Sequence, residues 1–334
     1  MAVKKYTATK DNTITNAFGE VFDTRLTGTN AGLADVVEVF SIFGQTNASA
    51  SQNENSRVLI EFPVSTISSE ITDGTIESGS NFVLRLFSTE QPVTPPKEFT
   101  VVIAAISRSW SEGTGPDLAN KDYTGASNWV SADSSTSWTT AGGDYHDTPR
   151  FTASFITGEE DISVDVTTLV NEWIEGTKQN YGFGIFLTSS QEDVSASYYT
   201  KRFYSRTSEY VIKRPVLESR YDDAKKDNAS TFFLSSALAP ANDNLNNLYL
   251  YNYINGQLQN LPDVGTGNVL LSVYSGSTAP AGSKLLLPVG GGVTATGDVN
   301  ITGSHVSTGI YSASFAYASS SITKLFGVWH SGST

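Results

Sequence analysis

Three adjacent carboxylates, Glu159-Glu160-Asp161, are the first residues in this chain that could do chemistry. Two of them could serve as an acid/base pair, or all three could offer hard oxygens to Ca²⁺. Adjacent charges of this kind more often mark a solvated turn, here one leading into a strand. His146, within Asp144-Tyr145-His146-Asp147, could bind a metal or accept a proton. No second histidine lies near it, since His305 and His330 sit in the C-terminal part, and a polar loop is the plainer reading. Trp110, Trp129 and Trp138 fall in one polar stretch. Trp129 and Trp138 could present an aromatic platform to sugar rings. Equally, they could pack their loop down, with Trp110 in the core. Asp11, Asn12 and the Asp165 region could share a structural Ca²⁺. Gly290-Gly291-Gly292 lacks the lysine and the strand–helix setting of a phosphate loop. These residues predict no catalytic set and no required cofactor.

The elements that would position such groups are mostly strands. One stretch reads clearly as a helix, Asp165 to Gly176. Val166, Leu169, Val170, Trp173 and Ile174 share one face of a 3.6-residue period. Asp165 is placed to cap the first turn, and Gly176 to take the left-handed conformation that ends it. Ile67 to Ile71 could add a short helical turn.

Composition bounds the classes. The chain has 334 residues, 39% hydrophobic and 16% charged, with a net charge of −13. It is too apolar for disorder and long enough for two domains. So acidic a surface repels phosphate backbones, which excludes nucleic acid as an expected partner. There are no cysteines, so neither disulfides nor thiolate metal sites hold the fold. No run of 18 apolar residues predicts a membrane span. The first ten residues carry lysines without an apolar segment, unlike a secretory signal. A polar, Ser/Thr-rich β protein without such a signal suits a virus particle assembled in the host cytoplasm.

Strand candidates follow in order: 36–43, 57–63, 81–87, 99–106, 150–155, 162–164, 181–187, and a pair at 198–204 and 210–217 with outward basic positions. Thr7 to Thr15 reads as a polar opening segment, Ala48 to Ser56 as a loop, and Ser107 to Pro149 as one long irregular stretch. The charged run Asp222 to Asn228 marks a boundary. Beyond it, a hairpin turning at Asn255-Gly256 and short strands at 269–274, 284–288, 309–317 and 324–329 are expected. The fold class is therefore all-β. Residues 1–221 form a β-sandwich with one short helix, 222–230 a linker, and 231–334 a smaller, Ig-like β-sandwich.

Several of these segments carry a family pattern: Asp11-Asn12-Thr13-Ile14, Arg57-Val58-Leu59-Ile60-Glu61-Phe62, Trp110-Ser111-Glu112-Gly113, the helix from Asp165 to Gly176, and Asn180-Tyr181-Gly182. Residues 7–220 thereby resemble the DNRLRE (disaggregatase-related) family of β-sandwich domains. The helix is the specific part of the match; the residues at about 115–149 depart from it, where the family keeps a tighter loop. The resemblance implies a jelly-roll-like, non-catalytic module similar to carbohydrate-binding domains, with Trp110, Asp165, Leu169, Trp173 and Gly176 as its structural signature. The C-terminal part, with Gly309 to Phe315 and Val328 to Thr334, looks like tailed-phage structural proteins. The combined expectation is a non-enzymatic virion protein on the particle exterior, in a neck, tail or capsid-decorating appendage. Its partners would be other virion proteins and further copies of itself. The alternative is a host-surface adhesin binding glycan through Trp129 and Trp138.

Overall fold

A computed structural model describes residues 2–19, 24–43, 53–91, 96–117, 125–195, 198–221, 225–229, 231–236, 238–276, 280–287 and 301–331. Gly290–Gly292 and most of the proline-rich turn at 91–96 lie outside them. The chain divides into two compact units, Ala2–Tyr221 and Asp222–Thr334.

The first unit comprises β1 (Ala2–Thr7), β2 (Lys10–Thr15), β3 (Val36–Phe43), β4 (Asn53–Glu61), α1 (Val64–Thr72), β5 (Asn81–Leu86), β6 (Phe99–Ile106), β7 (Tyr145–Phe155), β8 (Ile162–Asp165), α2 (Thr167–Ile174), β9 (Phe183–Leu187), α3 (Ser189–Glu192), β10 (Tyr199–Tyr204) and β11 (Val216–Tyr221). A four-stranded sheet, β1-β11-β5-β8, faces a seven-stranded sheet, β10-β3-β4-β9-β6-β7, with β2 added on β4. Between them Phe82, Leu84 and Leu217 of the small sheet meet Val58, Ile60, Ile103, Phe183 and Ile185 of the large one. The large sheet has a second apolar face. There Ile14, Leu59 and Ile106 pack beneath Trp110, Trp129 and Trp138 of the long loop. The loop is thus a covering layer, which is why β6 is buried almost throughout.

Several elements depart from the sequence pattern. Thr7–Thr15 is not a loose opening segment: β1 and β2 flank a two-residue turn, and β2 is buried although polar. Hydropathy hides such a strand, because its side chains are satisfied by hydrogen bonds instead of water. Asn53–Ser56, expected as loop, begins β4. Residues 210–217 are not a strand paired with 198–204. Val211–Lys213 is a 3₁₀ turn, β10 pairs with β3, and β11 pairs with β1 and β5 in the other sheet. Pro215 explains the break: it cannot donate to a ladder.

Among the described residues three α-helices form where one was expected outright. In α1, Val64 and Ile67 are buried, and Ile71 packs on the core beside them. That i, i+3, i+7 face is legible in the sequence, though weak helix formers (Ser, Thr) obscure it. α2 starts two residues later than Asp165, with Val166 at its cap position. Asp165 ends β8, and its carboxylate accepts the Thr167 N–H at 2.9 Å. Gly176 takes the left-handed conformation, φ 75°. Leu169, Val170 and Trp173 face inward, and the Trp173 ring meets Phe183 edge-on at 4.8 Å.

The second unit comprises β12 (Lys225–Asp227), β13 (Asn246–Ile254), β14 (Gln257–Leu258), β15 (Val269–Ser275), β16 (Ile301–Ser307), β17 (Ile310–Phe315) and β18 (Leu325–His330). Lys225–Asp227, placed in the linker by its charge, is a strand of this unit. The Asn255-Gly256 hairpin is present, with φ of 52° and 75°. Residues 284–287 form no strand. All seven strands belong to one sheet, β12-β13-β17-β16-β15-β18 with β14 on β13, and the sheet curls. Its two edges come within a hydrogen bond, Trp329 Nε1 donating to Asp227 Oδ2 at 3.1 Å.

Trp173→Ala should cost about 3–5 kcal/mol, the usual figure for a buried aromatic. Calorimetry should then show the first unit melting before the second. An unchanged first transition would mean that α2 is peripheral to the core.

Candidate functional site

Two of the motif segments, Asp11–Ile14 and Trp110–Gly113, meet with Arg206 at one polar node. The backbone N–H of Asp11 donates to Glu112 Oε1 at 2.8 Å. Arg206 donates through Nε and Nη2 to both Glu112 oxygens, at 3.0 and 2.8 Å, and its backbone N–H donates to the Asp11 carboxylate. Asn12 donates to Ser127 O and Oγ and accepts the Ala31 N–H. Gly113 has φ 115°, and a Cβ there would lie 1.9 Å from Asn30 Oδ1. The Trp-Ser-Glu-Gly turn therefore needs its glycine for space and conformation. Burial pushes the Asp11 carboxyl up to about 7, with the Glu112 charge adding to it against Arg206. Asp165 lies exposed in the other sheet, so the expected sharing of Ca²⁺ with Asp11 and Asn12 has no common geometry here.

A second cluster locks the long loop. Arg57, on β4, donates through Nε and Nη2 to Glu192 of α3 at 2.9 and 2.7 Å, and through Nη1 to Gly142 O at 3.1 Å. Its guanidinium stands 5.3 Å from the Trp129 ring and 5.1 Å from Phe186. Burial opposes this charge, but the Glu192 carboxylate holds the guanidinium above its ordinary value. Trp129 and Trp138 are not an exposed platform: they are 7% and 5% exposed. Trp138 Nε1 donates to Asn128 O, and Trp110 Nε1 to Tyr181 O, both at 2.8 Å. The loop is hydrogen-bonded down upon its own tryptophans, the second of the two readings open for it. Short strands around Trp129 and Trp138 reduce to one bridge, Ser131 with Ser137.

The carboxylate run closes a turn instead of lining a groove. Glu160 Oε1 accepts the N–H groups of Ile156 and Thr157 at 2.8 and 2.7 Å, and Asp161 Oδ1 accepts that of Ser88 at 2.7 Å. Burial acts against the Glu160 charge, yet these backbone donors hold the carboxyl down to about 2. Near this turn Lys201 is fully buried, not outward as its strand pattern suggested. Its ammonium donates to Ser88 Oγ and Gly158 O, 4.7 Å from the Phe155 ring. Burial pulls it down to about 8, against the nearby Glu160, Asp161 and Glu159. His146 is half-buried at the start of β7, with no histidine, cysteine or carboxylate set around it among the described residues.

Glu192, Arg206 and Lys201 were not singled out, and Arg57 entered only as the first residue of a motif strand. Lys201 was the legible one: it shares strand parity with Phe203. Glu112 was seen only as a motif letter. Nothing local marks Arg57 and Glu192 as partners, 135 positions apart.

Two clefts remain. One of about 610 Å³ lies beside Trp173, lined by Lys10, Glu61, Lys178 and Asn180 among others. The other, about 650 Å³, lies at the seam of the second unit, between β12 and β18.

Two predictions follow from the clusters. Asp11 has its ordinary pKa of 3.8 when unfolded and about 7 when folded. The fold holds its protonated form, so the stability it contributes is present below 3.8 and is lost as pH rises to about 7. Asp11→Asn keeps an acceptor for Arg206 and never ionises. The thermal midpoint of this variant should gain on the wild type between about pH 4 and pH 7, by about 2–4 °C per kcal/mol. A constant difference would mean that Asp11 titrates normally. Glu192→Gln leaves the Arg57 charge uncompensated and should cost about 3 kcal/mol, the lower figure for a broken buried pair. Proteolysis should then cut within 107–144 first; an unaltered cleavage pattern would show that the pair does not hold the loop. The sequence matches no family model and no curated protein, so the resemblance to DNRLRE domains stands on the residues quoted for it.

Proposed function

We propose that this chain is a non-enzymatic structural protein of a tailed-phage virion. In this reading it sits on the particle exterior, in a neck, tail or capsid-decorating appendage, among other virion proteins and further copies of itself. The observation that carries the structural role is where the buried charges go. Arg57 ties β4 to Glu192 of α3 and, through Gly142 O, to the long loop, and Arg206 with Glu112 ties two loops together. Lys201 ties β10 to the turn at 158. Groups that could have served chemistry are engaged in rigidifying the first unit, which suits a part copied many times in a particle. The DNRLRE-like residues and the phage-like texture of the C-terminal part support the virion assignment.

The adhesin alternative rested on Trp129 and Trp138, and their burial removes the aromatic face it required. Mass spectrometry of purified virions should detect the chain, and immunogold labelling should mark the particle surface. Its absence from particles in which minor tail proteins are detected would sink the proposal.

A further inference from the structure

The two units differ sharply in charge. Residues 222–334 contain six Asp and no Glu, four Lys and no Arg, a formal −2 of the chain's −13. Within this unit one groove, of about 510 Å³, is lined by Leu286, Leu287, Ala239, Ala316, Tyr317 and Ile322 with Ser and Asn neighbours, and by no charged side chain. Tyr317 is 4% exposed, and its buried hydroxyl has no hydrogen-bond partner among the described residues.

A strap borders the groove. The Ser235 N–H donates to Tyr317 O, and Ser235 Oγ to Asn244 O. Asn246 holds both the N–H and the C=O of Phe233, and Asn244 Nδ2 donates to Ser236 O. With the backbone pinned, Phe232 turns in against Tyr317. Phe233 and Leu234 stand out at 52% exposure each, Leu238 at 99%, and Leu286 on the groove wall at 50%. Large apolar side chains fixed outward beside an apolar groove, with so little charge around them, mark an interaction surface.

We infer that this strap and groove form a self-association interface, in which Leu238 and its neighbours on one copy enter the groove of a second copy and the second copy returns the contact. The charge distribution selects the occupant. A twofold interface sets a patch against itself, so any net charge on it is doubled into repulsion. A patch meant for a different protein escapes that constraint and commonly carries one sign to complement its partner. The first unit, at −11, opposes approach of another copy, while the second does not. This deepens the assembly reading and rests on it only for the biological use of the contact.

The test uses the full chain. Light scattering on size-exclusion eluate at about 100 µM should give a dimer, since such a concentration populates even a ~10 µM interface. Phe233→Glu with Leu238→Glu should give the monomer mass. Ile212→Glu, at an equally open position of the first unit (85% exposed), should leave the oligomer intact. Because the chain has no cysteine, Leu238→Cys with Leu286→Cys should form a disulfide-linked dimer on oxidation. A wild type that is monomeric at that concentration, a charged variant that keeps the wild-type mass, or cross-links confined to the monomer would each overturn the interface. A monomeric chain that is nonetheless found in virions would overturn the interface alone and leave the structural role standing.

Discussion

A sheet that is apolar on both faces must be covered on both, and the first unit depends on how that is done. One face of the seven-stranded sheet meets the four-stranded sheet, the ordinary solution for a sandwich. The other is covered by a stretch with almost no regular structure. Irregular backbone cannot satisfy itself by laddering, so its polar groups need partners from side chains. Asn12, Asn30, Asn128, Asp133 and Asp144 supply them. The tryptophans then contribute the apolar area that makes the cover worth forming. Burying Arg57 and Glu192 beneath it is tolerable because each satisfies the other in a two-pronged contact.

The apolar, β-branched strands were readable because their pattern and their burial agree. Val36–Phe43 and Phe99–Ile106 are strands with the bounds that the pattern suggests. β2 was not readable, since Lys10-Asp-Asn-Thr-Ile-Thr15 looks like a turn and becomes a core strand only when Ser127, Ala31 and Arg206 arrive from far along the chain. The same distance hides the candidate sites. Glu112 belongs to a recognisable turn, but its partner Arg206 is 94 residues away. Trp129 and Trp138 could be seen to matter, while the sheet face beneath them could not. The Asp165 helix was legible in type and slightly wrong in extent, because a carboxylate can serve the first turn from the end of a strand as well as from a cap.

The two units hold themselves together differently. In the first, buried ion pairs and amide side chains fix loops against sheets. In the second, one curled sheet relies on apolar side chains from its packed face, on the Tyr311 hydroxyl that joins Leu261 to Gly265, and on the Trp329–Asp227 hydrogen bond across the seam. With so few charges to specify geometry, the second unit stands Phe233, Leu234 and Leu238 outside on a hydrogen-bonded strap.

Ala2 pairs with Tyr221, and β1 runs antiparallel to β11 along its whole length. Entry to and exit from the first unit therefore lie side by side at one corner of the small sheet. A load applied through these two ends would peel the strands apart one residue pair at a time, instead of shearing the whole ladder at once. The same closeness makes the unit a cassette: its covalent ends can be joined, or opened elsewhere, with little demand on the rest of the fold.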